Sequence, residues 1–453
     1  MSDVVVIGLG RSGAACAQFF AREGRDVLVV DSRDTESIRA RAATLPDGVR
    51  VQLGGYGAHV VDGASLVCPS PGVAWHAPEL ERARSLGIPV RSEIDLVFER
   101  CRGSVVGITG TNGKTTTTAL VAEILSRAGG RVHLGGNIGE TMLDRVDAVR
   151  EGDWVVLELS SFQLESASNP ACAIACVLNV TPDHLDRHVT FEAYAQAKEK
   201  IVRFARDDCV IGFDDPVARG MAGAASARVR FFGMEIAGAW GALLSGGDIV
   251  SVEPGLRTTI MPARDVPLFG AHNVLNALAA VAVSRAAGVA PHVIAAAVRG
   301  FRPVAHRLQP VLDQGGVLWV NDSKATNAES AIMALRSFGS RPIVWIGGGQ
   351  TKGVSPHALA DAVARHTRLA ILNGATAAEL EGALRARGFD RIRVTGDLLA
   401  AVRAAVDEAV PGDVVLLAPG YSSFDQFGSF EERGDAFAAQ VRSLAGVAEA
   451  EAR

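Results

Sequence analysis

Short apolar runs alternate with longer segments of helical periodicity along nearly the whole chain. The runs are Val4–Ile7, Val27–Val30, Ser65–Cys68, Val105–Val106, Trp154–Leu159, Ile174–Val180, Val317–Val320, Ile343–Ile346, Leu369–Leu372 and Val414–Leu417. Most are too short for helices and apolar throughout, as strands buried on both faces are. Between them lie helix-like stretches near Ala14–Glu23, Thr117–Arg127 and the Ala-rich Val274–Ala287. This alternation predicts an α/β protein with mostly parallel sheets. The pattern divides into three blocks: 1–92, 93–300 and 301–453. Only Ala222–Pro267 breaks it. That segment is rich in Gly and Ala with short alternating runs, and is expected to form small strands or a meandering insert. No short repeat is visible.

Composition narrows the class. A length of 453 residues suits about three domains at roughly 150 residues each. Hydrophobic residues make up 48% and charged residues 21%, enough for large cores and unlike a disordered chain. A net charge of −5 argues against binding a nucleic-acid backbone. Cys16, Cys68, Cys101, Cys172, Cys176 and Cys209 are scattered and read as buried thiols of a cytosolic protein. No apolar run reaches about 18 residues, so no membrane insertion is expected. The N-terminus has no signal-like core, and the expected location is cytoplasmic.

The segment Gly107 to Thr116 carries the sharpest chemical signal. It reads Gly107-Ile108-Thr109-Gly110-Thr111-Asn112-Gly113-Lys114-Thr115-Thr116, at the junction of a strand and a helix. Glycines there let backbone N–H groups turn towards phosphate oxygens, and the helix N-terminus adds its dipole. Lys114 would reach the terminal phosphates of ATP, and the Thr115 hydroxyl would bind Mg²⁺. Ile108 stands where the strict G-x-x-x-x-G-K-[ST] pattern has its first glycine.

Other loops follow strand ends, where open α/β sheets bind ligands. Gly8-Leu9-Gly10-Arg11-Ser12-Gly13 is a G-x-G-x-x-G, with Asp31 ending the next strand and Ser70-Pro71-Gly72 after another. Alone this suggests a dinucleotide, but any diphosphate fits such a loop. Glu158 ends a strand, where a buried acid needs a partner, so it pairs with Thr115 as a hard-oxygen set for Mg²⁺. Asn179 to His188 packs two Asp and two His within six residues, and His184 is a candidate ligand for a second cation. Lys198, on the following helix, reads by itself as a surface lysine. His272, Asn273 and Asn276 are expected on one helix face, with amides suited to adenine. Further on come His306-Arg307, Asp322 to Asn327, Gly347 to Lys352 and Pro419 to Gly434. Their Arg, Lys and hydroxyls suit an acidic substrate.

Together these residues resemble the Mur ligases, ATP-dependent amide-forming enzymes of peptidoglycan precursor synthesis, over the whole chain and in order. Asp322-Ser323-Lys324-Ala325-Thr326-Asn327 and the tail Ser423-Phe424-Asp425-Gln426-Phe427-x-x-Phe430-Glu431-x-Arg433-Gly434 resemble the D-glutamate-adding branch. The Gly-Ala-Gly-Asp type loop of the alanine-adding relatives and the Asp-Asn-Pro-Arg of the diaminopimelate-adding ones are absent from the sequence.

The resemblance implies three domains: a Rossmann-like UDP-sugar domain (1–92), a central P-loop ATPase-like domain (93–300) and a Rossmann-like amino-acid domain (301–453). It implies that UDP-N-acetylmuramoyl-L-alanine is held by Gly10, Arg11, Ser12, Asp31, Ser32, Ser70, Asn137, Ser160, Gln163 and His184. ATP falls to Gly110, Thr111, Asn112, Gly113, Lys114, Thr115, Thr116, Asn273, Asn276, Arg307 and Asp322. D-Glutamate falls to Thr326, Lys352, Ser423 and Phe430. Two Mg²⁺ ions are implied on Thr115, Glu158, His184 and Lys198. Lys198 matches the position where the family carries a carbamate, and the catalytic set is Lys114, His184 and Lys198. The expected state is a monomer. Left open are another Mur-type ligase, L-glutamate-adding or folylpolyglutamate synthetase-like. A nicotinamide oxidoreductase and a non-enzymatic ATP-binding regulator also stay open, but neither gives the other motifs a role.

Overall fold

The computed structural model describes residues 2–351, Gly353 and 355–444. Lys352, assigned above to glutamate, lies outside the described residues. The chain forms two compact units, one from the chain up to Val266 with Leu275–Phe301, the other from Pro267–Val274 and Arg302 onward.

The first unit holds two sheets. Strands β1 (Val4–Ile7), β2 (Val27–Asp31), β3 (Arg50–Leu53) and β4 (Leu66–Pro69) form a parallel sheet in the order β3-β2-β1-β4. The chain leaves β1 to one side and later returns to its other side, so the loop after Ile7 sits at a topological switch point. The second sheet contains β5 (Ser104–Thr109), β6 (Val132–Gly136), β7 (Trp154–Glu158), β8 (Ile174–Val177), β9 (Asp208–Gly212), β10 (Arg228–Gly233), β11 (Gly241–Ser245), β12 (Asp248–Glu253) and β13 (Leu256–Pro262). Their order is β13-β12-β11-β10-β9-β8-β5-β7-β6, and only the β11–β12 and β12–β13 pairs are antiparallel. The insert expected at Ala222–Pro267 is thus an extension of this sheet. β5 lies between β7 and β8, which makes the loop after Thr109 a second switch point.

The second unit has one sheet: β14 (Gln309–Gln314), β15 (Val317–Asn321), β16 (Ile343–Gly348), β17 (Leu369–Asn373), β18 (Ile392–Val394) and β19 (Val414–Leu417), in the order β14-β15-β19-β16-β17-β18. Only β14 runs antiparallel.

The strands whose apolar pattern had not stood out are mostly edges. β3, β6, β14 and β18 each end a sheet. An edge strand is only partly covered, so its sequence need not be apolar throughout; Arg50-Val51-Gln52 is exposed. β9 is interior but begins with Asp208, a buried carboxylate paired with Arg228 and Arg230. Cys16, Cys68, Cys172, Cys176 and Cys209 are buried and Cys101 half-buried, all as free thiols. No helix among the described residues is long and apolar enough to cross a membrane.

Trp345 of β16 is fully buried, and its Nε1 donates to Ala418 O at 2.8 Å, just past β19. Trp345→Phe removes that bond and part of the ring's packing. The expected cost is about 1–3 kcal/mol, read as a lower urea midpoint for the second unit.

Candidate active site

The phosphate-loop segment leaves β5 and enters helix Lys114–Arg127. Gly110 and Gly113 adopt φ of +153° and +86°, backbone that side chains rarely adopt. A Cβ on Gly113 would also strike Asn276 Oδ1. Asn179, just past β8, pins the loop from the neighbouring strand. Its Oδ1 accepts from Asn112 N at 2.8 Å, and its Nδ2 donates to Asn112 O at 3.1 Å. Its backbone carbonyl accepts from Thr111 N at 2.8 Å. Lys114 Nζ curls over the loop and donates to Gly110 O and Thr111 O at 3.0 and 2.8 Å. Thr116 follows in the first turn of the helix.

Glu158 ends β7 beside this loop and is buried. Its Oε2 accepts from Thr115 Oγ1 at 2.7 Å, and its Oε1 from Asn137 Nδ2 at 2.8 Å. Asn137 in turn lines a cavity of about 730 Å³ at the carboxyl edge of the first sheet. Gly10, Arg11, Ser12, Asp31, Ser32 and Ser70 line the same cavity, as do Arg33 and Tyr56. Seven of the ten residues assigned to the UDP-sugar therefore share one concave site. Asp31 sits under the glycine loop, accepting from Leu9 N at 2.8 Å and Arg33 N at 2.9 Å. Burial pushes its carboxyl up, but the Arg33 guanidinium and these two N–H groups outweigh burial and hold it below the usual range.

Ser160, Gln163 and His184 are not among the lining residues. Ser160 caps helix Ser161–Ser166 in a reciprocal pair with Gln163. His184 adopts φ +52° and is about half exposed, its Nε2 at 3.6 Å from Asp183. The other histidine of the cluster is the buried one. His188 Nε2 lies 3.0 Å from Ser161 Oγ, its ring stacks on Phe162, and burial lowers its pKa.

Lys198 is buried, not the surface lysine its position alone suggested. Its Nζ donates to Gly110 O at 2.8 Å and lies 4.6 Å from the Tyr194 ring centroid. Burial, reinforced by the positive charge of Lys114, holds its ammonium well below the usual lysine range. Tyr194 carries no motif of its own in the sequence. It stands one turn before Lys198 on helix Phe191–Arg203, and its hydroxyl lies 2.9 Å from Thr111 Oγ1. The i, i+4 spacing was the available signal.

In the second unit, Thr326 lines a cavity of about 60 Å³ with Asn327, Gln350 and Tyr421, while Ser423 and Phe430 do not line it. Ser423 is buried, and Phe430 stacks its ring under Lys324 Nζ at 4.0 Å. Asp322 is buried; burial pushes its carboxyl up to about 7, against the pull of Leu308 N and Arg307. Asn273 also belongs to this unit and donates to Phe269 O. Arg433, from the tail motif, organises the loops around it, a role its sequence motif does not show. It is buried and donates to Ser323 Oγ, Ser323 O and Tyr421 O at 2.9–3.2 Å, joining the loops after β15 and β19.

The model of the Mur ligase MurD-like N-terminal domain matches residues 2–92. Those of the Mur ligase middle domain and the Mur ligase glutamate ligase domain match 108–284 and 306–420. The UDP-N-acetylmuramoylalanine–D-glutamate ligase of Acidobacterium capsulatum is 41% identical over 450 residues, covering 98% of this chain and 97% of that protein. The chain belongs to the Mur ligase family. The ligase of the same name from Pelotomaculum thermopropionicum is 41% identical over 446 residues, with 97% of each chain covered. In fold, the chain is similar to the UDP-N-acetylmuramate–alanine ligase of Thermotoga maritima, with a TM-score of 0.60 at 19% identity, covering 98% and 100% of the two chains.

Asn179→Ala removes two hydrogen bonds from the phosphate loop. At about 1 kcal/mol each, an ATP analogue should bind roughly tenfold or more weakly by calorimetry. Unchanged affinity would mean that the loop holds its shape without Asn179.

Proposed function

We propose that this chain joins D-glutamate to UDP-N-acetylmuramoyl-L-alanine at the expense of ATP, in peptidoglycan precursor synthesis. It is an amide-forming ligase. The observation that supports this reading best is the continuous link from the cavity of the first sheet through Asn137 and Glu158 to Thr115 of the phosphate loop. A nucleotide-linked acid in the cavity would place its carboxylate end towards the terminal phosphate of ATP. Two separate nucleotide sites of an oxidoreductase would have no need of that link.

In this reading, residues 1–92 bind the UDP-sugar, 93–300 bind ATP and 301–453 bind the amino acid. The diphosphate lies over Gly10, Arg11 and Ser12, with Asp31, Ser32 and Ser70 around the uridine and Asn137 towards the muramoyl-alanine arm. Ser160, Gln163 and His184 stand further along that arm. Gly110 to Thr116 wrap the phosphates, and Asn276 stands beside Gly113. The roles of Asn273, Arg307 and Asp322 towards ATP, and of Thr326, Lys352, Ser423 and Phe430 towards glutamate, belong to the same reading. So do the cytoplasmic location and the monomeric state.

The alanyl carboxylate attacks the γ-phosphorus, and ADP leaves. Lys114 spreads the charge on the transferring group. The glutamate amine, neutral when it attacks, then displaces phosphate from the acyl phosphate. Thr115 and Glu158 offer the hydroxyl and carboxylate that suit Mg²⁺, which keeps several waters and few protein ligands. With His184 and Lys198 they would hold two Mg²⁺ ions, which supply charge neutralisation at the phosphates when bound. Lys198 would serve there as a carbamate. Burial favours its neutral amine, which would add CO₂ and lose a proton, so that a carboxylate would stand where the buried amine is.

Phosphate release from ATP, assayed with UDP-N-acetylmuramoyl-L-alanine and D-glutamate, should require both and yield the amide by mass. Dependence on L-glutamate instead would keep the chemistry and overturn the stereochemistry. No release with either would overturn the reading. Lys114→Ala should lower kcat by about 10²–10³-fold with an unchanged melting temperature.

A further inference from the structure

Glu93 is a buried carboxyl that the reaction does not use. It opens helix Glu93–Arg100, behind the glycine loop of the first sheet, and is 1% exposed. Its Oε2 lies 3.2 Å from Ser12 Oγ, and its Oε1 has no hydrogen-bond partner among the described residues. Ser12 lines the 730 Å³ cavity, and Glu93 does not. A carboxylate left half-satisfied in the interior is costly unless something compensates it. The charged and titratable groups that face it are Arg11 and the Cys16 thiol on helix Arg11–Arg22 and Asp144 on the turn after β6; the Gln163 amide, although it makes no well-formed hydrogen bond to Oε1, stands near enough to favour the ionised carboxyl. Arg11 directs Nη1 to Gly139 O at 2.8 Å, and Asp144 accepts from Thr141 Oγ1. Burial, with Asp144 adding to it, pushes the Glu93 carboxyl up to about 7, against Ser12, Gln163 and Arg11.

The Ser12 hydroxyl has one hydrogen. While Glu93 is ionised, that hydrogen is donated to Oε2. Diphosphate oxygens are acceptors and compete for it. Once Glu93 is protonated, its own O–H donates to Ser12 Oγ, and the serine hydrogen turns to the phosphate. We infer that Glu93 is a positioning residue whose proton decides whether Ser12 can donate to the diphosphate of the UDP-sugar. The inference rests on the reading that the diphosphate lies over Ser12.

The sign follows from the proton count. Binding selects the protonated carboxyl, so affinity is highest below about pH 7. Above it each bound substrate draws in a proton, and KM rises by at most about tenfold per pH unit. The diphosphate and alanyl carboxylate are already ionised throughout that range and add no titration of their own.

The experiment measures KM and kcat for UDP-N-acetylmuramoyl-L-alanine between about pH 6 and 8.5, with ATP and D-glutamate saturating. The wild type should show KM rising about fivefold or more. In Glu93→Gln the amide always donates to Ser12, so KM should stay low and flat while kcat follows the wild-type profile. A flat wild-type KM, or a Glu93→Gln profile that still climbs, would overturn the inference. Ser12→Ala separates the two levels. A raised, pH-independent KM supports both, whereas wild-type KM at every pH would overturn the placement of the diphosphate itself. Should Glu93→Gln fold poorly, calorimetry of the wild type near pH 8 in buffers of different ionisation heat gives the proton count directly. Uptake approaching one proton supports the inference, and none overturns it.

Discussion

A buried carboxylate must have its lone pairs occupied, and in this protein Glu158 meets that demand from two directions. Thr115 reaches it from the first turn after the phosphate loop, and Asn137 from the loop after β6. The strand order makes this possible. β7 lies between β5 and β6, so the end of one strand is shared by the loops on either side. Through Asn137 the same carboxylate touches the rim of the cavity on the first sheet. One acid thus ties the glycine loop after β5 to the cavity on the first sheet.

Around the phosphate loop, positive charge is arranged rather than simply accumulated. Lys114 and Lys198 both donate to Gly110 O. Lys114 is at the loop's own helix start and is only partly buried. Lys198 is enclosed, and burial disfavours its charged form. Tyr194 completes the arrangement, its ring beside one amine and its hydroxyl beside Thr111. The loop is also held from behind by Asn179, which bonds the backbone of Thr111 and Asn112.

The second unit solves a similar problem with a cation. Arg433 is buried without a carboxylate partner among the described residues; it spreads its donors over the hydroxyl and carbonyl of Ser323 and the carbonyl of Tyr421. A planar fork of donors suits several fixed acceptors better than a single ammonium does. Burial lowers its pKa to about 10, still above neutrality, so the joint keeps its charge. The loops carrying Thr326 and Tyr421 are thereby held at one small cavity.

Much of this was readable along the chain. Interior strands such as β1, β5, β7 and β8 stood out because strands covered on both faces are apolar throughout, whereas interior β9 did not, because it opens on the paired carboxylate Asp208. Edge strands β3, β6, β14 and β18 did not, since partial cover leaves their composition free. The motifs named residues that the structure brings together, Thr115 with Glu158 among them. Sequence spacing, however, carries no burial and no direction. It could not tell that His188 points inward while His184 faces out, or that Lys198 is enclosed. Nor could it show that Glu93 lies against Ser12, 81 positions away. Those facts depend on which strands become neighbours, because only tertiary packing decides which polar groups lose water and must find one another.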